Sequence, residues 1–179
     1  MAIHIEDCPF FETKQKVRVG ENDVEVLPLQ PVVWVSVTRA GLSELPPNRP
    51  QLLAVLDTGN NHNLAIKEEQ LTDWAKLFVT DLPKLAMQAR VRSVRGEELI
   101  PVYEADVWLH AFPKRSDLPP LNLEVDGGIV CYRKPKARKS RVPSPGPRLP
   151  LLGGLALRSQ GLRVLLDYRR LRLKIEGPA

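Results

Sequence analysis

The sequence predicts an all-β or mostly β fold with one or two short helices. Several short segments alternate apolar and polar residues, which is the period of a half-buried strand. Turn residues separate these segments, most clearly where Gly20-Glu21-Asn22-Asp23 joins two alternating valine runs and indicates a hairpin. Only residues 67–78 repeat apolar side chains at the spacing of a helix. At 179 residues, the chain is long enough for one domain with its own core.

Each element follows from such a local pattern, read in chain order. The predicted strands are residues 17–19, 24–26, 32–37, 52–57, 89–94, 99–109, 128–132, 162–168 and 170–175. A helix is predicted at residues 67–78, a hairpin turn at 95–98, and a single helical turn that ends at Gly161. We expect residues 1–31 to form N-terminal strands or an extension, and residues 32–176 to form the main domain.

The net charge of +5 conceals an uneven distribution along the chain. Residues 1–132 contain 13 basic and 19 acidic side chains, whereas residues 133–179 contain 13 basic and only 2 acidic ones. Seven of these basic residues and four prolines lie in residues 133–148, a segment without acids. Such a basic, proline-rich tract does not bury enough apolar surface to fold alone. It is therefore predicted to be a long loop or an insertion in the main domain.

Composition also suggests where the protein resides. The two cysteines, Cys8 and Cys131, lie far apart and form no CxxC pair, so free thiols are expected rather than a disulfide. No apolar run approaches the roughly 18 residues that indicate a membrane span. The first residues carry acids where a secretory signal carries a positive start. We expect a cytoplasmic protein without a membrane partner.

An acid follows directly on the apolar run at residues 52–56. Asp57 is succeeded by Thr58 and Gly59. A buried carboxylate without partners costs free energy, so proteins rarely place one at the end of a core strand without compensation. Asp and Gly are also common turn residues, so this tripeptide alone is compatible with a turn that ends the strand.

Three features together resemble the retropepsin-like aspartic proteases of the single-DTG, dimeric type. They are Asp57-Thr58-Gly59, the later Leu151-Leu152-Gly153, and between them a segment similar to the family's flap hairpin, with Arg95, Gly96 and Glu97 at its turn. The resemblance covers roughly residues 32–175. It implies a closed barrel with a flap, and an aspartic endopeptidase that acts on peptide or protein substrates.

The resemblance also implies a role for each of these residues. Asp57 is the catalytic acid, while Thr58 anchors its loop through a hydrogen bond to the partner loop. Gly59 permits close backbone approach. Leu151 and Leu152 pack beneath the active-site loops, and Gly153 lets the chain pass tightly. Peptide hydrolysis of this type uses two adjacent carboxylates that share one proton, so that one activates water while the other polarises the carbonyl.

The sequence contains only one such motif, so the second carboxylate needs a source. Asp126-Gly127-Gly128 lacks the hydroxyl residue and lies close to Leu151, so we interpret it as a turn. A two-fold axis places the same patch of each subunit against its copy, which turns one Asp57 into a pair. The active species is therefore expected to be a homodimer.

The chain departs from the family pattern directly after the motif. Asn60, Asn61 and His62 stand where the family usually has a small residue, which puts full activity in question. We interpret His62 as a surface histidine. No spacing of His, Cys and carboxylate residues indicates a metal site, and no cofactor is expected.

Three functional hypotheses remain. The first is the homodimeric aspartic endopeptidase. The second is a catalytically silent module of the same fold that serves as a dimeric binding or scaffold protein. The third is a nucleic-acid-associated protein that uses residues 133–148, but this tract has no aromatic residue except the neighbouring Tyr132 for base stacking. A solvated charged loop is favoured over nucleic-acid binding.

Overall fold

The computed structural model describes residues 3–93, 96–112, 114, 118–134 and 146–178, with fourteen strands and two short α helices in these ranges. The strands are β1 (Ile3–Pro9), β2 (Gln15–Val19), β3 (Asn22–Val26), β4 (Val32–Thr38), β5 (Leu52–Asp57), β6 (Leu64–Lys67), β7 (Lys84–Ser93), β8 (Gly96–Tyr103), β9 (Asp106–Leu109), β10 (Leu121–Asn122), β11 (Ile129–Tyr132), β12 (Leu151–Gly153), β13 (Arg163–Asp167) and β14 (Arg172–Glu176). The helices are α1 (Glu68–Asp73) and α2 (Gly154–Ser159), and a 3-10 turn covers Val79–Asp81.

Nine strands form one mixed sheet in the order β10-β9-β4-β5-β12-β6-β11-β8-β7. Its two parallel pairs are β5 with β12 and β6 with β11, and the other neighbours are antiparallel. The prediction of a mostly β fold is confirmed. The closed barrel is not found, because β10 and β7 lie at the two edges of the sheet and do not pair in the described part of the chain.

Alternation along the strands builds the main core. In β4, Val33, Val35 and Val37 are fully buried, as the period of two predicts. Strands β5, β6 and β12 are more continuously apolar, which is typical of strands that are covered on both faces. Several fully buried leucines and isoleucines of these and neighbouring strands fill the centre, among them Leu52, Leu53, Leu64, Ile66, Leu109, Ile129 and Leu152.

The N-terminal residues pack into the same core. Strand β1 pairs with β14, and Ile5 and Phe10 belong to the main cluster of buried residues. Strands β2 and β3 form the predicted hairpin. Strand β13 pairs only with β14 among the described strands, so its other edge is unpaired within one chain. The proposed boundary at residue 31 stays a prediction.

Two predicted elements differ from the observed ones. The helix predicted at 67–78 ends at Asp73, because Lys76 adopts a φ of 52° and the chain then buries Leu77 by a non-helical path. Phe78, which shares the helical spacing, is 59% exposed. The strand predicted at 99–109 divides into β8 and β9, since the chain changes partners from β7 and β11 to β4 and β10.

Both cysteines are free and buried. Burial raises the pKa of Cys8 to about 11, although the positive charge of Arg172 opposes this shift. Burial and the nearby Glu68 raise the pKa of Cys131 to about 12, against the opposing charge of Arg133. At neutral pH both side chains are therefore thiols rather than reactive thiolates.

The helices of the described ranges are short. Helices α1 and α2 contain six residues each, and no helix there is long and apolar enough to cross a membrane.

Candidate active site

The predicted motif forms the turn that leaves β5. Asp57 is the last residue of β5 and is half-buried, whereas Thr58 and Gly59 are exposed. The Gly59 N–H donates a hydrogen bond to Asp57 Oδ1 at 3.1 Å, and the Asn60 N–H donates to the Asp57 carbonyl at 3.0 Å. These two hydrogen bonds close the loop around Asp57, and the first fixes the direction of one carboxylate oxygen. It is a turn that also orients a carboxylate.

Strand β12 lies between β5 and β6, directly beside this loop. It runs parallel to β5 with Gly153 opposite Asp57, and antiparallel to β6 with Leu152 opposite Leu64. The Gly153 N–H donates to the Asn63 carbonyl at 2.9 Å, which joins β12 to the far end of the loop. The two sequence motifs, separated by about ninety residues, are therefore neighbours in the fold.

Gly153 has no space for a side chain. A Cβ at this position would lie 1.8 Å from the His62 carbonyl oxygen and 2.8 Å from that of Asn60. Its φ of −87° suits any residue, so the requirement for glycine is steric rather than conformational. The loop from Asp57 to Asn63 wraps closely around β12 at this point.

Asp57 lies on the sheet face that carries Val55, two residues before it in β5. Strand register places Val55, Leu151, Ala65, Val130 and Val102 in one row, so their side chains lie on one face. Because it comes two residues after Val55, Asp57 shares that face. We call this row the apolar wall. Leu56, Leu152 and Leu64 point to the opposite face and belong to the main core.

The segment predicted to be the flap forms the β7–β8 hairpin. Gly96 and Glu97 begin β8, and an ion pair of 2.7 Å joins Arg90 Nε to Glu97 Oε1 within the hairpin. Arg95 lies outside the described residues. Tyr103, at the other end of β8, lies in the same row across the sheet as Leu56. Gly96 is therefore about 23 Å from that row along the strand, so the turn lies at the other end of the strands from Asp57.

Leu151 and Leu152 lie on opposite faces of the sheet and therefore have different roles. Leu152 is fully buried beneath the loop in the main core, whereas Leu151 belongs to the apolar wall and is half-buried. The Thr58 hydroxyl makes no hydrogen bond among the described residues of a single chain. Its predicted partner in a second chain stays a prediction.

The three residues after the motif are more constrained than the sequence indicates. The His62 N–H donates to Asn60 Oδ1 at 3.2 Å, while Asn60 Nδ2 is buried and has no hydrogen-bond partner among the residues that the structure describes. His62 is half-buried rather than freely exposed, and burial lowers its pKa, so its side chain is neutral at neutral pH.

Asn63 is a structural residue of the site that the sequence patterns did not indicate. Its side chain is buried, and Nδ2 donates to the carbonyls of Asp126 at 2.7 Å and Gly128 at 3.1 Å. These bonds join the Asp57 loop to the turn before β11. Asp126-Gly127-Gly128 is that turn, with both glycines at positive φ, and its contribution to the site is through its backbone.

Both ends of the basic tract, residues 133–148, are hydrogen-bonded to side chains of α1. The Arg133 side chain and the Lys134 N–H both donate to Glu68 Oε2, at 3.0 and 2.8 Å. Gln70 Nε2 donates to the Arg148 carbonyl at 2.8 Å. Helix α1 follows Lys67, the end of β6 that lies farther from Asp57. Residues 135–145 lie outside the described residues.

Replacing Asn60 by Ser is expected to stabilise the protein by about 1 kcal/mol, because it removes a buried donor without a partner while a hydroxyl can still accept from His62. Urea denaturation gives the free energy of unfolding. Asn61→Ser is the control, since Asn61 is exposed and should change little. An Asn60→Ser protein less stable than the parent would show that the Asn60 amide has a partner.

Comparison of the chain with family models, with curated proteins and with solved structures finds no match.

Proposed function

We propose that the protein is a homodimeric aspartic endopeptidase in which Asp57 of each chain forms a catalytic pair. The position of β12 supports this proposal most directly. It brings Gly153 beside Asp57 and inserts Leu151 and Leu152 between the two strands that carry the loop. This is the packing that the resemblance to retropepsin-like proteases implies for the two motifs.

The chemistry requires a second carboxylate. Asp57 Oδ1 accepts a hydrogen bond from the Gly59 N–H, which leaves Oδ2 for a water molecule or a partner acid. Two carboxylates held a few ångströms apart do not both ionise, so one proton is shared. The ionised member takes a proton from water, and the protonated member donates to the carbonyl oxygen of the peptide.

The apolar wall favours a class of substrate. Val55, Leu151 and Ala65 continue the face of Asp57 without a charged side chain. Val55 and Ala65 are already buried, so the half-buried Leu151 is the member of this set that offers apolar surface to a peptide side chain. We therefore propose that cleavage favours bonds flanked by apolar residues. The flap role of the β7–β8 hairpin stays a prediction, because its turn lies at the other end of the strands from Asp57.

Exposed residues beside Asp57 provide a surface for the second chain. A shallow pocket of about 280 Å³ next to the loop includes Thr58 and Leu155 in its lining, and Leu155 is 44% exposed. The unpaired edge of β13 is a second candidate for the interface. A two-fold axis at this surface brings the two Asp57 loops together.

Leu155→Arg is expected to weaken the dimer at least about tenfold, because it places a charge without a partner in the interface. Sedimentation at micromolar concentration measures the ratio of monomer to dimer. Leu99→Arg is the matched control, since Leu99 is 59% exposed on the hairpin and lies outside this surface. Equal sedimentation of both variants and the parent would place the interface elsewhere.

The assay that tests the proposal is cleavage of a diverse peptide library by the purified protein from acidic to neutral pH. Cleavage is expected to be strongest at acidic to mildly acidic pH, where the pair carries one proton. A stable dimer that cleaves nothing across this range would contradict the proposal. It would favour the silent binding module, which the bulky Asn60 beside the catalytic loop also favours.

A further inference from the structure

A second cleft lies at the opposite end of β5 from Asp57. It has a volume of about 600 Å³ and is bounded by the loop before β5 and the chain after β9. Gln51 lines it and directly precedes β5, so it lies about 20 Å along the strand from Asp57. The cleft is thus separate from the candidate active site.

The walls of this cleft are apolar and stiff. Its apolar lining includes Trp34, Pro46, Pro47, Phe112, Leu118 and Pro120. The Arg49 N–H donates to the Pro46 carbonyl at 3.4 Å, and Asn48 has a φ of 62°. With proline at the second position and positive φ at the third, this is the pattern of a type II turn. A turn of this kind holds Arg49 at the cleft before any ligand arrives.

The polar ring of His110, which lines the cleft, already has a hydrogen-bond partner. Ser36 Oγ donates to the Pro50 carbonyl at 2.8 Å and lies 2.8 Å from His110 Nε2. Because the hydroxyl has one proton, His110 donates its Nε2 proton to Ser36. Burial and the neighbouring Lys114 lower the pKa of His110 to about 4, so the ring is neutral at neutral pH.

The charged residues described at the cleft have one sign. Arg49 and Lys114 line it, and its described lining contains no Asp or Glu. Neither cation forms an ion pair with another described residue. Two cations that have no ion-pair partner among the described residues, next to an aromatic ring and prolines, complement a ligand with an acidic group on an apolar body.

We propose that this cleft binds a small organic anion, with a flat apolar body against Trp34 and the prolines and a carboxylate or similar group on Arg49 and Lys114. The volume lies within the range of small-molecule sites. The guanidinium of Arg49 provides two parallel donors that match a carboxylate. Trp34 contributes a large apolar surface, and its side chain loses little conformational entropy when a ligand binds.

Calorimetric titration with naphthoate and with its neutral analogue naphthamide tests this site. Naphthoate should bind, and naphthamide should bind about tenfold more weakly or not at all, because it lacks the charge. Arg49→Gln and Lys114→Gln should each weaken naphthoate binding about tenfold. Lys16→Gln removes an exposed charge on β2, outside the cleft, and should leave affinity unchanged.

Trp34→Leu provides a second arm of the test, since it removes the aromatic wall and should weaken both naphthalene compounds. The proposal is overturned if naphthoate does not bind, if naphthamide binds equally well, or if the Arg49 and Lys114 variants behave like Lys16→Gln. Asp57→Asn protein should bind naphthoate with the parent's affinity. The outcome is therefore independent of whether the protein cleaves peptides.

Discussion

Asp57→Asn protein should fold and dimerise but lose peptide hydrolysis by at least about a thousandfold. Asparagine keeps the shape of the side chain, and its Oδ1 can still accept from the Gly59 N–H. It neither holds the shared proton nor takes one from water, so the acid and base steps are both lost. Initial rates on a cleaved library peptide measure the effect.

Asp126→Asn is the matched control for this substitution. Asp126 is the other acid followed by glycine, but it lies in an exposed turn and contributes its backbone carbonyl to Asn63. Its replacement should leave turnover near that of the parent. If Asp57→Asn retains the parent's rate, or if both variants lose activity alike, the assignment of Asp57 as the catalytic acid is wrong.

Gly153→Ala is expected to destabilise the protein by at least about 3 kcal/mol, the upper range for overpacking. The added methyl group would lie 1.8 Å from the backbone oxygen of His62, which is not a flexible atom that can move aside. Relief requires β12 to separate from the Asp57 loop and disrupts the bond from the Gly153 N–H to Asn63. Chemical denaturation measures the loss, and poor yield of folded protein is the extreme result.

Gly154→Ala is the control at the adjacent position. A methyl group there would lie 3.1 Å from the Thr58 carbonyl oxygen, which a shift of a few tenths of an ångström relieves. We expect a change within about 1 kcal/mol, because alanine also favours the first turn of α2. Equal stability of the two variants would show that β12 is not confined by the loop.

Local patterns predicted most of the strands. The β2–β3 hairpin follows from valines at period two around a four-residue turn, and both signals lie within ten residues of chain. Strand β4 likewise follows from Val33, Val35 and Val37. The position of β12 between β5 and β6 is a pairing between distant residues, for which periodicity carries no signal. Only the resemblance placed those motifs together.

Tertiary packing determined the elements that differ from the sequence prediction. The helical spacing of Leu71, Trp74, Ala75 and Phe78 is real, but the chain leaves the helix after Asp73, and Phe78 remains exposed. Residues 99–109 are mostly apolar, with Glu104 and Asp106 at the break between β8 and β9. The pattern predicts one strand because both elements are strands and differ only in their partners.

The residues that surround the candidate site were only partly predictable. Asp57, Thr58, Gly59 and Gly153 stand out as motifs, and their placement follows from adjacent strands. No local sequence pattern marks Asn63. Its side chain joins the loop to another turn only because the fold places the turn that ends at Gly128 opposite it. The buried amide of Asn60 is likewise a property of the folded loop rather than of its sequence.

The dependence of activity on the fraction of Asp57→Asn chains tests the shared catalytic pair most directly. Parent and variant chains are mixed in known ratios, allowed to exchange subunits, and assayed at constant total concentration. If one site needs Asp57 from both chains, activity falls as the square of the parent fraction and reaches about one quarter in an equal mixture. A linear fall to about one half would contradict the shared pair, because each chain would then carry a complete site.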